Sequence, residues 1–337
     1  MERMRGRTIA DQGPLAPPPI VPSQQHADAV AETAGKIADS IGGVLAGREE
    51  SIRMAIACLL SGGHLLIEDI PGVGKTLLAQ ALAASVGGSF HRIQGTPDLL
   101  PGDVTGTMMP HGEGFELRFR PGPIFSNIVV FDELNRANPR TQSALLEATE
   151  EGAVTVDGST RDLPSPFMLV ATQNPVEMTG TYPLGEGALD RFAAVVTPGR
   201  ALPHDEVEVL TGRRGRSVLK HIGPVVDIND LIDARAVVAS TFVADPIARY
   251  VVDILDATRR HPRVRLGAST RGGVALIGLA KANAAISGRH YVVPHDVLQV
   301  ADAALAHRVI VIDADGSVRA GREVVAECVE RVPAPGV

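Results

Sequence analysis

Aromatic residues make up only 3% of the 337-residue chain, and tryptophan is absent. Single-stranded nucleic acids are held largely on aromatic stacking platforms, so a base-stacking surface is not expected. Positive charge is also short: 32 Lys and Arg face 39 Asp and Glu, a formal net charge of -7 at pH 7. Binding to a phosphate backbone wants the opposite balance. Cysteine is nearly missing, with Cys58 and Cys328 far apart in sequence. Two buried thiols in a reducing compartment are the expectation, not a disulfide framework. No apolar run approaches the roughly 18–20 residues needed to span a bilayer. The opening stretch "MERMRGRTIADQGPLAPPPIVPSQQ" lacks the apolar centre of a signal peptide. These absences predict a cytoplasmic protein with no nucleic-acid partner and no membrane insertion.

What is present is ordinary globular material: 45% hydrophobic and 21% charged residues, in a chain long enough for two domains. Residues 1–25 hold five prolines and little apolar period, which reads as a flexible tail. Residues 26–200 alternate short apolar runs with helical patterns. "HLLIE", "FHRIQ", "NIVVFDE", "FMLVATQ" and "AAVVTP" are strand candidates. Between several of them lie helical stretches such as "GKTLLAQALAASVG" and "PRTQSALLEATEEG". That alternation predicts an α/β domain with a parallel sheet covered on both faces. "VTVDGSTRDLP" reads as a hairpin turning at Asp157-Gly158. From Ala201 to about residue 330 the pattern turns helical, as in "DPIARYVVDILDATRR", and a smaller all-α domain is expected. Residues 331–337 read as a C-terminal tail.

The stretch from Glu68 to Thr76, "EDIPGVGKT", nearly matches the phosphate loop G-x-x-x-x-G-K-[ST], with Asp69 in place of the first glycine. It falls between a strand and a helix, the context such a loop requires. Backbone N–H groups there can converge on phosphate oxygens. Gly72 and Gly74 keep Cβ atoms away, Lys75 supplies a cation for the β- and γ-phosphates, and Thr76 offers a hydroxyl to Mg²⁺. Asp69 stands at the strand end, where Asp tolerates turn geometry. Its side chain is expected to point away from the phosphates, because a carboxylate within about 4 Å of a phosphate would cost roughly 4 kcal/mol per charge.

Four further segments add chemistry. "NIVVFDELNR" is an apolar strand ending in Asp132 and Glu133, about 57 residues after the loop and on what reads as the neighbouring strand. Asp132 can hold Mg²⁺ directly or through water, and Glu133 can polarise an attacking water. "LVATQNP" ends a strand at Asn174, which can reach the γ-phosphate or that water; an Asn-Pro alone reads equally as a turn. Arg191 in "GALDRF" and Arg271 in "GASTRGG" would each pass alone for a surface charge. Together they supply positive charge where phosphoryl transfer develops negative charge. The run Glu147, Glu150, Glu151 reads as a solvated helix face. His290 and His295 read as satisfied structural histidines, not metal ligands.

The set "GHLLIEDIPGVGKT", "FDELNRANPRTQSALLEATEEG", "VATQNPVEMTGTYPLGEGALDRF" and "GASTRGG" resembles the MoxR family of AAA+ ATPases, from about Val44 to the C-terminal helices. The resemblance implies an AAA+ P-loop domain with a parallel sheet flanked by helices, followed by a smaller all-α lid. It implies ATP and Mg²⁺ as ligands. The implied loop set is Pro71, Gly72, Val73, Gly74, Lys75, Thr76 and Leu77, with Asp132 for the nucleotide's metal and Thr76 sharing it. Glu133 and Asn174 become the hydrolytic pair. Arg191 resembles an arginine finger that acts on a neighbouring subunit, and Arg271 resembles sensor 2 from the lid. "VLAGREE" is similar to the strip flanking the adenine, with Gly47 at its turn. Residues 102–127 are similar to the helix-2 insert shared with magnesium chelatase motor subunits. The family's habits imply a homo-oligomeric ring, expected as a hexamer, acting on a protein client in a chaperone-like role with a von Willebrand A domain protein as partner. A chelatase-type motor and a nucleotide-gated scaffold without turnover remain as alternatives. Intact Glu133, Asn174 and Arg191 count against the scaffold, and the lack of an N/T-K-x-D signature counts against a GTPase.

Overall fold

The computed structural model describes residues 23–70, 72–110, 116–174, 180–312 and 318–336. Eleven strands and thirteen α-helices occur among them. The strands are β1 (Leu65–Glu68), β2 (Phe90–Gln94), β3 (Gly106–Pro110), β4 (Leu117–Pro121), β5 (Ile128–Asp132), β6 (Ala153–Val156), β7 (Ser159–Asp162), β8 (Met168–Gln173), β9 (Ala194–Val196), β10 (Val264–Leu266) and β11 (Ile310–Val311). The helices of the first half are α1 (Gln24–Val44), α2 (Glu49–Leu60), α3 (Lys75–Ser85), α4 (Pro101–Thr105), α5 (Pro139–Glu151) and α6 (Glu186–Leu189). Those of the second half are α7 (Pro203–Leu210), α8 (Arg216–Leu219), α9 (Ile228–Ser240), α10 (Asp245–Arg260), α11 (Thr270–Ile286), α12 (Pro294–Leu305) and α13 (Val318–Arg331).

Five strands form one parallel sheet in the order β2-β5-β8-β1-β9. The central strands are apolar along their length because both faces are covered. Alternate residues serve opposite cores: Leu65, Ile67, Val130 and Val170 point to one, and Leu66, Val129, Phe131 and Leu169 to the other. This corrects one expectation. The strand carrying Asp132 is not the neighbour of β1; β8 lies between them. All the strand ends that carry candidate residues open on the same carboxyl edge of the sheet, where open α/β folds bind ligands.

Two antiparallel hairpins stand outside this sheet. β3 pairs with β4 within the segment read as an insert, and β6 pairs with β7 about a turn in which Asp157 and Gly158 take φ of 48° and 75°. Residues 111–115 of the insert lie outside the described residues. The Arg161 guanidinium sits 4.0 Å over the Phe119 ring and ties one hairpin to the other.

The second half is helical except for a short ribbon in which β10 pairs antiparallel with β11. Sequence pattern predicted only helices there, and strands of two and three residues are too short to show a period. The amphipathic helix α1 begins at Gln24, inside the stretch expected as tail, with Ser23 as its N-cap. Its buried positions Val30, Ala34, Ile37, Ile41 and Val44 recur every three or four residues. They pack against α2 and α3 of the core and α9 and α11 of the lid, so one helix spans the joint. Residues 1–22 lie outside the described residues. Cys58 and Cys328 are both buried free thiols, and burial pushes Cys58 up to about 12. Among the described residues no helix is long and apolar enough to cross a membrane.

Candidate functional site

β1 delivers the chain to the loop at Asp69, and α3 receives it at Lys75. Gly72 and Gly74 hold φ of 87° and 94°, a left-handed conformation that side chains with Cβ rarely adopt, which is why glycine stands at both. Pro71 lies outside the described residues. Lys75 Nζ donates to the carbonyls of Asp69 and, at 3.1 Å, Ile70. Asp69 is buried, and both its carboxylate oxygens are taken up by backbone N–H groups. Oδ1 accepts from the Ile70 N–H at 2.7 Å and Oδ2 from the Gly199 N–H at 2.6 Å. The acid therefore ties the end of β1 to the segment leaving β9.

The loop helix reaches the tip of β5 through Thr76, whose Oγ1 donates to Asp132 Oδ1 at 2.8 Å. Asp132 is 2% exposed, and buried carboxylates need such partners. Thr172 of β8 is wedged between the acids: its Oγ1 donates to Asp132 Oδ1 at 3.3 Å and accepts from the Glu133 N–H at 3.0 Å. Arg92 of β2 donates Nε to Asp132 Oδ2 at 2.6 Å. Glu133 adopts φ of 56°, a strained backbone for a residue with a side chain, and such residues gather at functional sites. Its Oε2 accepts from Gln94 Nε2 at 2.9 Å and Arg136 Nη1 at 3.2 Å. Asn174 is buried just past β8, and its carbonyl accepts from Asn135 Nδ2 at 3.2 Å. Thr172, Arg92 and Gln94 escaped the sequence reading because each meets the acids only through sheet neighbours about 40 residues distant.

A cavity of about 450 Å³ opens beside the loop. It is lined by Gly72, Val73, Gly74 and Leu77 on one side and by Leu45, Ala46 and Arg48 on the other. Gly47 forms the turn of that second strip with φ of 63°. That φ favours glycine, and a Cβ there would stand 2.2 Å from Asp205 Oδ2 and displace that carboxylate. Gly47 itself borders a separate cavity of about 810 Å³ against α1. The donors at the β5 tip suit a hard cation, since a hydroxyl and a carboxylate oxygen stand 2.8 Å apart at the mouth of the loop. The glycine cradle and adjoining cavity likewise fit a nucleoside polyphosphate.

Arg191 and Arg271 are elsewhere. They meet each other at Glu150 of α5, beside a different cavity of about 460 Å³ bordered by Glu147, Glu150, Gly187 and Arg191. The acidic run is thus no simple solvated face, because Glu150 takes one arginine from the core and one from the lid. Next to them, buried Arg308 donates Nε to Asp190 Oδ1 at 2.6 Å and Nη2 to the carbonyl of Phe192 at 2.8 Å, joining lid to core. Of His290 and His295, both expected to be satisfied, His290 keeps a buried Nδ1 without a hydrogen-bond partner among the described residues.

A model of the ATPase family associated with various cellular activities (AAA) matches residues 64–194, and a model of the AAA lid domain matches residues 256–328. The chain is 46% identical over 276 residues to an uncharacterized protein, YeaC, of Bacillus subtilis, covering 82% of this chain and 86% of that one. It is 37% identical to Chaperone MoxR1 of Mycobacterium tuberculosis, covering 79% of this chain and 73% of that one. The crystal structure of a candidate ATPase from Cytophaga hutchinsonii superposes with a TM-score of 0.82 at 32% identity, covering 93% of this chain and 98% of that one.

Proposed function

The chain belongs to the MoxR family of AAA ATPases and is itself an ATPase, and from that premise we propose a Mg²⁺-dependent machine that assembles into a ring and remodels a protein client. The observation that carries this reading is the hydrogen bond of Thr76 to buried Asp132, which joins the loop helix to the strand tip beside Glu133. Lys75 gives up its loop carbonyls and binds the β- and γ-phosphates. Thr76 and Asp132 would hold Mg²⁺, which would neutralise charge on the phosphates. Glu133 turns from Gln94 and Arg136 to accept the proton of the attacking water, and Asn174 orients that water. The γ-phosphoryl group then passes to the water, leaving ADP and phosphate.

Arg191 and Arg271 gather at Glu150, and neither lines the cavity beside the loop, whose bordering guanidiniums are Arg48 and Arg200. That separation supports completion of each site by a neighbour's arginines, and hence a ring. We propose a hexamer, with residues 26–200 as the AAA+ domain and 201–330 as the lid. The Mycobacterium relative is named a chaperone, which supports a protein client here; a von Willebrand A domain protein is the proposed partner. The test is the mass in solution of the Glu133→Gln protein at saturating ATP and Mg²⁺. A particle near six times 35.3 kDa is expected, and a persistent monomer would overturn the ring.

A further inference from the structure

One carboxylate joins two arginines that belong to different domains of the fold. Glu150 Oε2 accepts from Arg191 Nε at 3.0 Å and lies 2.8 Å from its Nη2, while Oε1 accepts from Arg271 Nη1 at 3.0 Å. Arg191 also donates Nη1 to the Gly187 carbonyl at 2.7 Å. Arg271 lies in the first turn of α11, 3.9 Å from Asp190 Oδ2. Two guanidiniums this close would repel without an acid between them. Both arginines hold the Glu150 carboxyl below the usual range, Arg271 more than Arg191, so it carries its charge throughout the neutral range. With Asp190 and Arg308 the cluster has three guanidiniums and two carboxylates, and Glu147 and Glu151 also line the cavity beside it.

We propose that Glu150 is a positioning residue, holding the core arginine and the lid arginine side by side so that they meet a neighbour's nucleotide phosphates as one unit. This rests on the reading of Arg191 and Arg271 as groups that act in trans. A free arginine side chain carries substantial rotamer entropy, and tethering orders it before the phosphate arrives. Each guanidinium has five N–H donors, so phosphate can be bound beside the carboxylate. The shared tether also means that lid and core present their charges together.

Mixed rings locate the effect. Lys75→Ala subunits can lend both arginines but no working loop, and Arg191→Ala subunits can lend a loop but not Arg191, so the mixture is fully active only at interfaces that pair the two. Glu150→Gln is then placed in one partner or the other, and ATP hydrolysis is compared at saturating ATP. Misplacing a group that must meet a reacting centre costs up to about 100-fold. The expected loss is about 10- to 100-fold greater when the substitution sits in the arginine-lending subunit than when it sits in the loop-lending one. Glu150→Asp in the arginine-lending subunit should recover part of that rate, and the ATP concentration for half-saturation should not move. Equal effects in both placements, or none in either, would overturn the role of Glu150. If the parent mixture is inactive in rings that demonstrably exchange subunits, action in trans itself fails and Glu150's role falls with it.

Discussion

Asp69 stands where most phosphate loops carry glycine, and replacing it separates structure from binding. Its two carboxylate oxygens accept from two different backbone N–H groups, Ile70 at 2.7 Å and Gly199 at 2.6 Å, and the residue is 8% exposed. Hydrogen bonds to a charged acceptor contribute about 1.5–3 kcal/mol each. Asp69→Ala loses both and leaves two N–H groups to find water, a destabilisation of about 3–6 kcal/mol. Asp69→Asn keeps one acceptor but turns an NH₂ group toward the second N–H, and about 1.5–3 kcal/mol should go. Asp69→Gly should cost more than the 0.5–1 kcal/mol that backbone entropy alone predicts, because the bond to Gly199 goes with it. ATP affinity should barely respond, since both carboxylate oxygens are already engaged by backbone N–H groups. Asp69→Asn should bind ATP within about threefold of the parent, a difference below ~1 kcal/mol. Urea denaturation and a fluorescent-ATP titration measure the two quantities on the same preparations. A tenfold gain in ATP affinity with unchanged stability would show that the carboxylate faces the phosphates, and the reasoning would be wrong.

His64 should make the fold sensitive to acid. Its Nε2 pairs with the Thr149 carbonyl and its Nδ1 accepts the Leu169 N–H, which only the neutral ring can do, and burial pushes its pKa down to about 4. The unfolded chain takes a proton near pH 6.5 and the folded one does not, so stability should fall between pH 6.5 and 4 by at most about 3 kcal/mol. Urea midpoints across that window check this, and His64→Gln should flatten the slope. Buried Arg308 would be left without its carboxylate in Asp190→Ala, at a cost of about 3 kcal/mol. Faster amide exchange in α12 is the companion signal. Arg92 occupies Asp132 Oδ2 from a half-exposed position, so Arg92→Gln should lower the Mg²⁺ concentration needed for ATP binding by up to about fivefold. No change in the Mg²⁺ midpoint would show that the ion pair does not compete.

The strands of the central sheet were legible because buried parallel strands read as short continuous apolar runs. "FHRIQ" coincides with β2, and "NIVVFDE" overruns β5 by a residue at each end. The phosphate loop was legible because glycine spacing and Lys75 follow from a backbone demand that is local in sequence. Strand order was not. Nothing in the spacing of Lys75 and Asp132 reveals that β8 inserts between β1 and β5, since order is decided by crossovers packing helices on two faces. The same limit hid Thr172, Arg92 and Glu150. Glu150 meets Arg271 across 121 positions, and an exposed acid on a helix carries no local mark of such a partner. The helix α1 was hidden differently, because its apolar residues are diluted by polar ones and gain meaning only against the core and lid helices they pack on.

The most direct measurement is phosphate release by the Glu133→Gln protein, run beside an ATP-binding titration. The substitution keeps the side chain's size and its reach to Gln94 and Arg136, but removes the carboxylate that accepts the water's proton. General-base catalysis contributes about 10²–10⁴ in rate. Binding of Mg-ATP should therefore persist near the parent affinity while turnover falls by about that factor. Hydrolysis at the parent rate would contradict the account, because the acid at the tip of β5 would then have no part in the chemistry.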